Sequence, residues 1–292
     1  MMAQYLDPKN DLTFKRVFGE HKHLCISLLN SMLPLEKPIM SIEYQSGELI
    51  PELAKILRFS VVDVRCTDIN GRQFIVEMQT EWSESFKSRV LLNASKAYVR
   101  QLDVAKKFKL LQPVYSLNFV DETFENSPEM KHEYFHHYKI VNIRDTKKQI
   151  KGLEFIFIEL PKFVPQNRAE KKLHELWLRF LTEINERTKD VPEELLSNKY
   201  IREAIGYMEV SAYSKEQLEA YDKFRDAIMT ERSVISDAEE KGIEKGMEKG
   251  MVKGLEIVVI NGHNAGHSIE TIATFTGLTP KEITQIIKKQ ET

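Results

Sequence analysis

Two strand-like runs, residues 59–67 and 73–80, enclose Asp68-Ile69-Asn70-Gly71-Arg72, and the alternation of their side chains limits what the chain can fold into. One face of the pair collects Val62, Val64 and Cys66 with Phe74, Val76 and Met78, all apolar. The other collects Val61, Asp63, Arg65 and Thr67 with Gln73, Ile75, Glu77 and Gln79. Such alternation describes an antiparallel hairpin with one face on a core. A two-residue Asn70-Gly71 loop would pair Asp63 with Met78 and put the apolar sets on opposite faces, so that register is rejected. A three-residue loop, Ile69-Asn70-Gly71, begins a type I turn led by Asp68 and places Gly71 in the left-handed conformation of a G1 bulge. It sets Asp63 opposite Glu77.

Directly opposed carboxylates have Cβ atoms about 4.5–5.5 Å apart and destabilise a sheet unless something neutralises them. A divalent cation does so. Mg²⁺ takes oxygen ligands and keeps several waters, so Asp63, Glu77 and the backbone carbonyl of Met78 form an adequate protein set. Such an ion lowers the pKa of a bound water and stabilises charge on a phosphoryl oxygen, which phosphodiester hydrolysis requires. Gln79, two residues on, is placed to position that water. The other reading of the same spacing is that Asp63 and Glu77 are solvated residues of an exposed sheet face, paired with Arg65.

Elsewhere, apolar spacing predicts helices from roughly 11 to 33 and a strand at 39–44. Residues 84–109 lack Pro and Gly and carry Ala94, Ala97, Tyr98, Ala105 and Phe108 on one side, which predicts a long amphipathic helix. Strands are expected at 113–121, 133–142 and 152–160, completing an α/β core that ends near Pro165. Strand signals then largely disappear. Lys-Gly recurs every four residues at Lys241-Gly242, Lys245-Gly246, Lys249-Gly250 and Lys253-Gly254, with Ile243, Met247, Met251 and Leu255 in the same period. Two short helices close the chain, one before Gly277 and one opened by Thr279-Pro280-Lys281-Glu282 as a capping box.

The 292 residues hold 42 Lys and Arg against 44 Asp and Glu, a balance that excludes a chain coated in basic residues for indiscriminate nucleic-acid binding. Cys25 and Cys66 lie in apolar surroundings, as buried free thiols of a reducing compartment do. No run of about 18 apolar residues exists and Met1 to Lys9 lacks a signal-peptide core, so a cytoplasmic location without membrane spanning is expected.

Asp11-Leu12-Thr13-Phe14-Lys15-Arg16-Val17-Phe18-Gly19, Leu28-Leu29-Asn30-Ser31-Met32-Leu33, Val62-Asp63-Val64-Arg65, Gly71-Arg72 and Val76-Glu77-Met78-Gln79 together resemble the PD-(D/E)XK nuclease family transposases, the recombination-promoting nucleases. Ile158-Glu159-Leu160-Pro161-Lys162-Phe163 is similar to the segment that closes their shared region, and the resemblance runs over roughly residues 3 to 165. It implies a restriction-endonuclease-like mixed sheet flanked by helices, Mg²⁺-dependent DNA cleavage with Mn²⁺ as a substitute, and a recombination or mobile-element context. Asp63 matches the first acid and Glu77 the second, while Gln79 stands where the broader superfamily has Lys. Asp11 corresponds to an additional acid of the first helix, or simply caps that helix. The expected organisation is a nuclease-like core at 1–165, a helical region at 166–236, a Lys-Gly repeat helix at 237–260 and a small helical tail at 261–292.

On the 84–109 helix Arg89, Lys96, Arg100 and Lys107 fall within about 20° of one line opposite the apolar side, a stripe suited to DNA phosphates or to plain solvation. His132, His136 and His137 lack the spacing and the Cys of a zinc site. The terminal helices resemble a helix-turn-helix in size, a frequent arrangement. Each interior Gly of the repeat costs about 1 kcal/mol relative to Ala, which close approach of a partner helix would offset, so residues 240–256 are a candidate oligomerisation segment or a flexible linker. Two further readings compete with the DNA endonuclease: a catalytically inactive interaction protein that oligomerises through its tail, and an RNA nuclease with the same cluster.

Overall fold

The computed structural model describes residues 4–45, 63–103, 108–165 and 172–290, so the predicted strand's residues 59–62 lie outside the described residues. The chain divides into two compact units, Met1–Phe224 and Arg225–Thr292.

The first unit is built on a six-stranded mixed sheet in the order β1-β2-β3-β4-β6-β5, with β1 Ile42–Tyr44, β2 Val64–Asp68, β3 Gln73–Gln79, β4 Val114–Val120, β5 Phe135–Asn142 and β6 Asp145–Glu159. β2 and β3 are antiparallel with Val64 against Val76 and Thr67 against Gln73. Carried one pair further, that register puts Asp63 opposite Glu77. The turn is the expected one. Gly71 has φ 81° and donates to the Asp68 carbonyl at 3.0 Å. The Asp68 carboxylate gathers the backbone N–H groups of Asn70 (3.0 Å) and Arg72 (2.9 Å) and the Arg72 Nε (2.8 Å). An Asp at the head of the turn therefore locks the loop length, and the loop length fixes which residues face each other.

β3 and β4 run parallel, Glu77 beside Asn118, and the crossover between them holds a long helix. The helices of this unit are α1 Asp11–Phe14, continued by a wide π turn over Lys15–Gly19, α2 Lys22–Met32, α3 Glu84–Arg100, α4 Leu173–Glu183, α5 Glu193–Ser197 and α6 Lys199–Gly206. One sheet face presents Val64, Cys66, Phe74, Val76, Leu117, Phe119, Ile156 and Ile158 to a core shared with Phe14, Phe18, Leu28 and Trp177. The opposite face is covered by α3, whose Ala94 and Ala97 meet Ile75 and Val114 while Phe86 and Val90 meet Val120 and Phe157. The face that carries Asp63 and Glu77 is therefore roofed by a helix rather than open to solvent.

Three expectations are corrected. The 84–109 helix stops at Arg100, because the Gln101 side chain bonds both backbone groups of Gln112 (2.9 and 2.8 Å) and turns the chain toward β4. Phe108 consequently sits on a separate short turn and is 79% exposed, while Ala105 lies outside the described residues. β6 begins at Asp145 rather than near 152, since its polar first half extends a β5–β6 hairpin whose exposed residues leave no apolar alternation to read. Finally, apolar packing does not end near Pro165: Leu176, Trp177, Phe180 and Leu181 of α4 enter the same core as α1 and α2, with the Trp177 ring 5.3 Å from Phe18.

The helix α7, Lys215–Asn264, is continuous for 50 residues. In the second unit Val259 packs with Ile272 of α8 (Ile269–Thr276) and Ile283 of α9 (Pro280–Gln290). Gly262 permits this approach, for a Cβ there would stand 3.1 Å from the Ile272 side chain. The capping box forms as expected, Thr279 N–H donating to Glu282 at 2.8 Å. Among the described residues no helix is long and apolar enough to cross a membrane.

Candidate active site

Asp63 lies just before β2, where its carboxylate crosses to β3: Oδ2 accepts the Met78 N–H at 2.7 Å. Its other oxygen is 3.6 Å from Lys15 Nζ, which in turn holds Asp11 Oδ1 at 2.6 Å. Glu77, 6% exposed, accepts from Asn93 Nδ2 of α3 at 3.2 Å. Gln79 Oε1 accepts from Arg89 Nη2 at 2.6 Å. The hairpin supplies the acids, the first helical turns supply Asp11 and Lys15, and α3 lays an amide and a guanidinium over the far end.

Electrostatics tie these groups into one site. Burial pushes the Asp63 carboxyl up to about 7; the Met78 N–H and Lys15 oppose the shift, while Asp11 and Glu77 add to it. Burial likewise raises Glu77, against the pull of Arg89 and the Asn93 hydrogen bond. Burial works against the Lys15 charge, but Asp11 and Asp63 outweigh it and hold its pKa above the ordinary lysine value. Acids gathered away from water with a deficit of positive charge are what a divalent cation relieves.

Of the predicted residues, Asp63, Glu77 and Gln79 come together, and the Met78 carbonyl leaves the strand on the same edge as the N–H that Asp63 accepts. Asp11 is not the helix cap, a role taken by Asn10, whose side chain accepts from Leu12 N–H at 3.0 Å; Asp11 joins the acids through Lys15 instead. Arg65 does not pair with either acid and donates to Gln73 Oε1 at 3.0 Å. The basic stripe is not opposite the buried side of α3. Phe86, Val90 and Asn93 extend the buried arc toward it, so Arg89, Lys96 and Arg100 flank the sheet, half-buried, and the outer face carries Leu91, Leu92 and Val99; Lys107 lies outside the described residues. The histidines do not converge: His136 bonds buried Glu159 at 2.7 Å, His137 bonds Glu154 at 2.8 Å, and His132 is exposed. Glu159 also accepts from Lys162 at 2.8 Å and from the Phe124 N–H at 2.9 Å, so the motif around 158–163 pins the loop after β4.

Lys15, Asn93 and Asn118 are site residues that the sequence does not single out. Asn93 carries a readable signal, a polar residue inside the Phe86, Val90, Ala94 and Ala97 stripe. Asn118 is fully buried beside Glu77 and donates to the Ile156 carbonyl at 3.0 Å.

The donor set suits a hard cation. Both acids offer oxygen, and Asn93 Oδ1, buried next to Glu77, has no hydrogen-bond partner among the described residues. Among the described residues no three His, Cys, Asp or Glu side chains form a metal-holding group.

Searches of curated proteins and of solved structures each find no match. Residues 8–238 match the sequence model of the PD-(D/E)XK nuclease family transposases, well beyond residue 165 where the recognisable motifs end. With a mixed sheet between helices and that match over most of its length, the chain belongs to the PD-(D/E)XK nuclease family transposases, nucleases linked to mobile elements.

Proposed function

We propose that the protein is a metal-dependent DNA endonuclease that hydrolyses phosphodiester bonds during recombination or element mobility. The observation that carries this reading is the pairing of half-buried Asp63 with buried Glu77 at the end of a roofed hairpin, Asp63 held by the Met78 N–H and Lys15 and Glu77 by Asn93. Asp63 and Glu77 would hold Mg²⁺, or Mn²⁺ in its place, with the Met78 carbonyl as a further oxygen donor, and Asp11 as an additional acid linked to them through Lys15. When bound, the ion would supply an activated water and charge stabilisation at the phosphoryl oxygen.

The chain's own groups do the rest. The Met78 N–H fixes the Asp63 carboxylate toward β3, and Asn93 fixes Glu77. Gln79, oriented by Arg89, directs an attacking water with its amide. Lys15 stands in for the lysine that the broader superfamily has at the Gln79 position, bringing its cation from the first helix instead of β3. Arg89, Lys96 and Arg100 contribute positive charge to DNA phosphates along the rim of the sheet, with Lys107 a further candidate contact from the sequence stripe.

The test is plasmid cleavage by purified protein with Mg²⁺ or Mn²⁺. Wild type cuts and Asp63→Ala does not, with its thermal melt intact; equal cutting by both would falsify the assignment. RNA run beside DNA decides which polymer is the substrate. The competing reading, a protein that acts by assembly alone, is favoured by one observation, the exposed Ile243, Met247 and Met251 of α7.

A further inference from the structure

The sheet face that carries the acids holds a second, oppositely charged feature at the turn end of the hairpin. An open cleft of about 840 Å³ is lined there by Arg65, Thr67, Gln73, Arg100 and Gln101 among others. Arg65 is only 7% exposed. Its Nη2 is spent on Gln73, but its buried Nε has no hydrogen-bond partner among the described residues. Arg100 lines the same cleft and adds a second positive charge that works against that of Arg65. Burying a guanidinium with an unpartnered N–H is costly unless an anion meets it. A planar guanidinium with an unused N–H is a phosphate ligand by its geometry.

We infer that this cleft binds a backbone phosphate of the DNA strand, one or two nucleotides from the bond held at Asp63 and Glu77. The inference rests on the proposed hydrolytic site and assigns it a neighbouring phosphate subsite. Arg65 follows Asp63 by two residues on the same face, a step of about 7 Å, comparable to the separation of neighbouring phosphates along one strand. Arg65 is the inner ligand, and Arg100 and Thr67 line the same cleft. One face of the hairpin is thereby divided, acids for the scissile bond and guanidiniums for the strand that carries it.

The experiment is fluorescence anisotropy of a labelled DNA duplex in EDTA, over a range of salt, with the full chain. Arg65→Gln should weaken binding about tenfold or more, the loss expected for a hydrogen bond between charged partners. The slope of log affinity against log salt should fall by about 0.9, one phosphate contact. Arg65→Gln and Arg100→Gln combined should lose less than the sum of the two, since both serve one phosphate. Unchanged affinity and slope in Arg65→Gln overturns the inference; if that variant melts early, an unchanged slope in Arg100→Gln overturns it instead. Inorganic phosphate that raises the wild-type melt in an Arg65-dependent way, while DNA affinity ignores Arg65, makes the cleft a free-phosphate site and also overturns it. Cleavage is read separately. Wild type that binds through Arg65 yet never cuts leaves this subsite standing and removes the hydrolytic reading, and cutting that is indifferent to Arg65 and Arg100 does the reverse.

Discussion

Asp63 is held where its charge is costly. Its folded pKa of about 7 exceeds the value of 3.8 it would have in an unfolded chain, so the folded state binds the proton more tightly. Between those two values stability falls as pH rises, and above the folded pKa the full cost is present. Asp63→Asn retains an oxygen for the Met78 N–H and removes the charge. In metal-free buffer the variant should match wild type near pH 4 and be more stable at pH 8 by roughly 2–4 kcal/mol, about 2–4 °C in Tm for each kcal/mol at this size. Mg²⁺ should then raise the wild-type Tm at pH 8 and leave the variant unmoved. A pH-independent difference between the two melts would sink this account. Lys15→Met is the companion case. It strips the cation from between Asp11 and Asp63, so cleavage should fall by about tenfold or more, as for loss of a charged hydrogen-bond partner, and the Asp63 titration seen by NMR should move higher. Cleavage equal to wild type would assign Lys15 a purely structural place. Period-two alternation made the acids legible, because strand neighbours report on each other locally. Lys15 and Asp11 reach them from 48 residues or more upstream through the packing of α1, which no local pattern encodes, and the choice of Asn10 over Asp11 as cap turns on a one-residue shift of helix start.

The element that makes the site a closed one is α3. Ala94 and Ala97, both without exposed surface, let the helix lie close on Ile75 and Val114. Ala97→Leu should overfill that contact and cost about 1–3 kcal/mol, read as a lower denaturation midpoint. It should also lift Arg89 and Asn93 from Gln79 and Glu77, so cleavage at a permissive temperature should fall further than the lost folded fraction explains. Leu91→Ser, on the outer face and 52% exposed, should stay within about 0.5 kcal/mol of wild type. If both variants behave alike, α3 does not position the site. The helix and the hairpin turn were readable because propensity, loop chemistry and periodicity agreed in each. The end of α3 and the facing of its basic residues were not, since Gln101 bonds Gln112 just ahead of β4 and the buried arc is set by Phe86 of α3 meeting Phe157 of β6. The same limit applies to α4: a helical region was expected there, but not that α1 and α2 would share its core.

At the scale of the whole molecule, the repeat segment of α7 raises the question of assembly. A Cβ added at Gly242, Gly246, Gly250 or Gly254 would meet nothing within 4 Å, so the helix bears their propensity cost, about 1 kcal/mol each, without packing gain inside the chain. Ile243, Met247 and Met251 beside them are 64%, 72% and 71% exposed. A period of four exceeds 3.6, so the apolar ridge and the glycine groove drift together around the helix, and two such surfaces interlock ridge into groove at a crossing near −50°. Around the helix the rows run Glu (240, 244, 248), Lys (241, 245, 249, 253), Gly, apolar. When a second copy lies parallel and each ridge fills the other's groove, every Glu row faces a Lys row; the antiparallel alternative sets like rows together. Assembly of 240–256 as a parallel pair is therefore the expected outcome, measured by light scattering. Gly246→Ala with Gly250→Ala should raise the helix content of the isolated chain yet shift the mass toward monomer, because the methyl groups that favour the helix fill the groove. A flexible linker would respond to the same change with a stiffer helix and no change in mass. Changing Lys245 and Lys249 to Glu should also give monomer, and changing Glu244 and Glu248 to Lys in that same chain should restore the pair. A wild-type monomer unaffected by deletion of 240–256 would leave the repeat without a role in assembly.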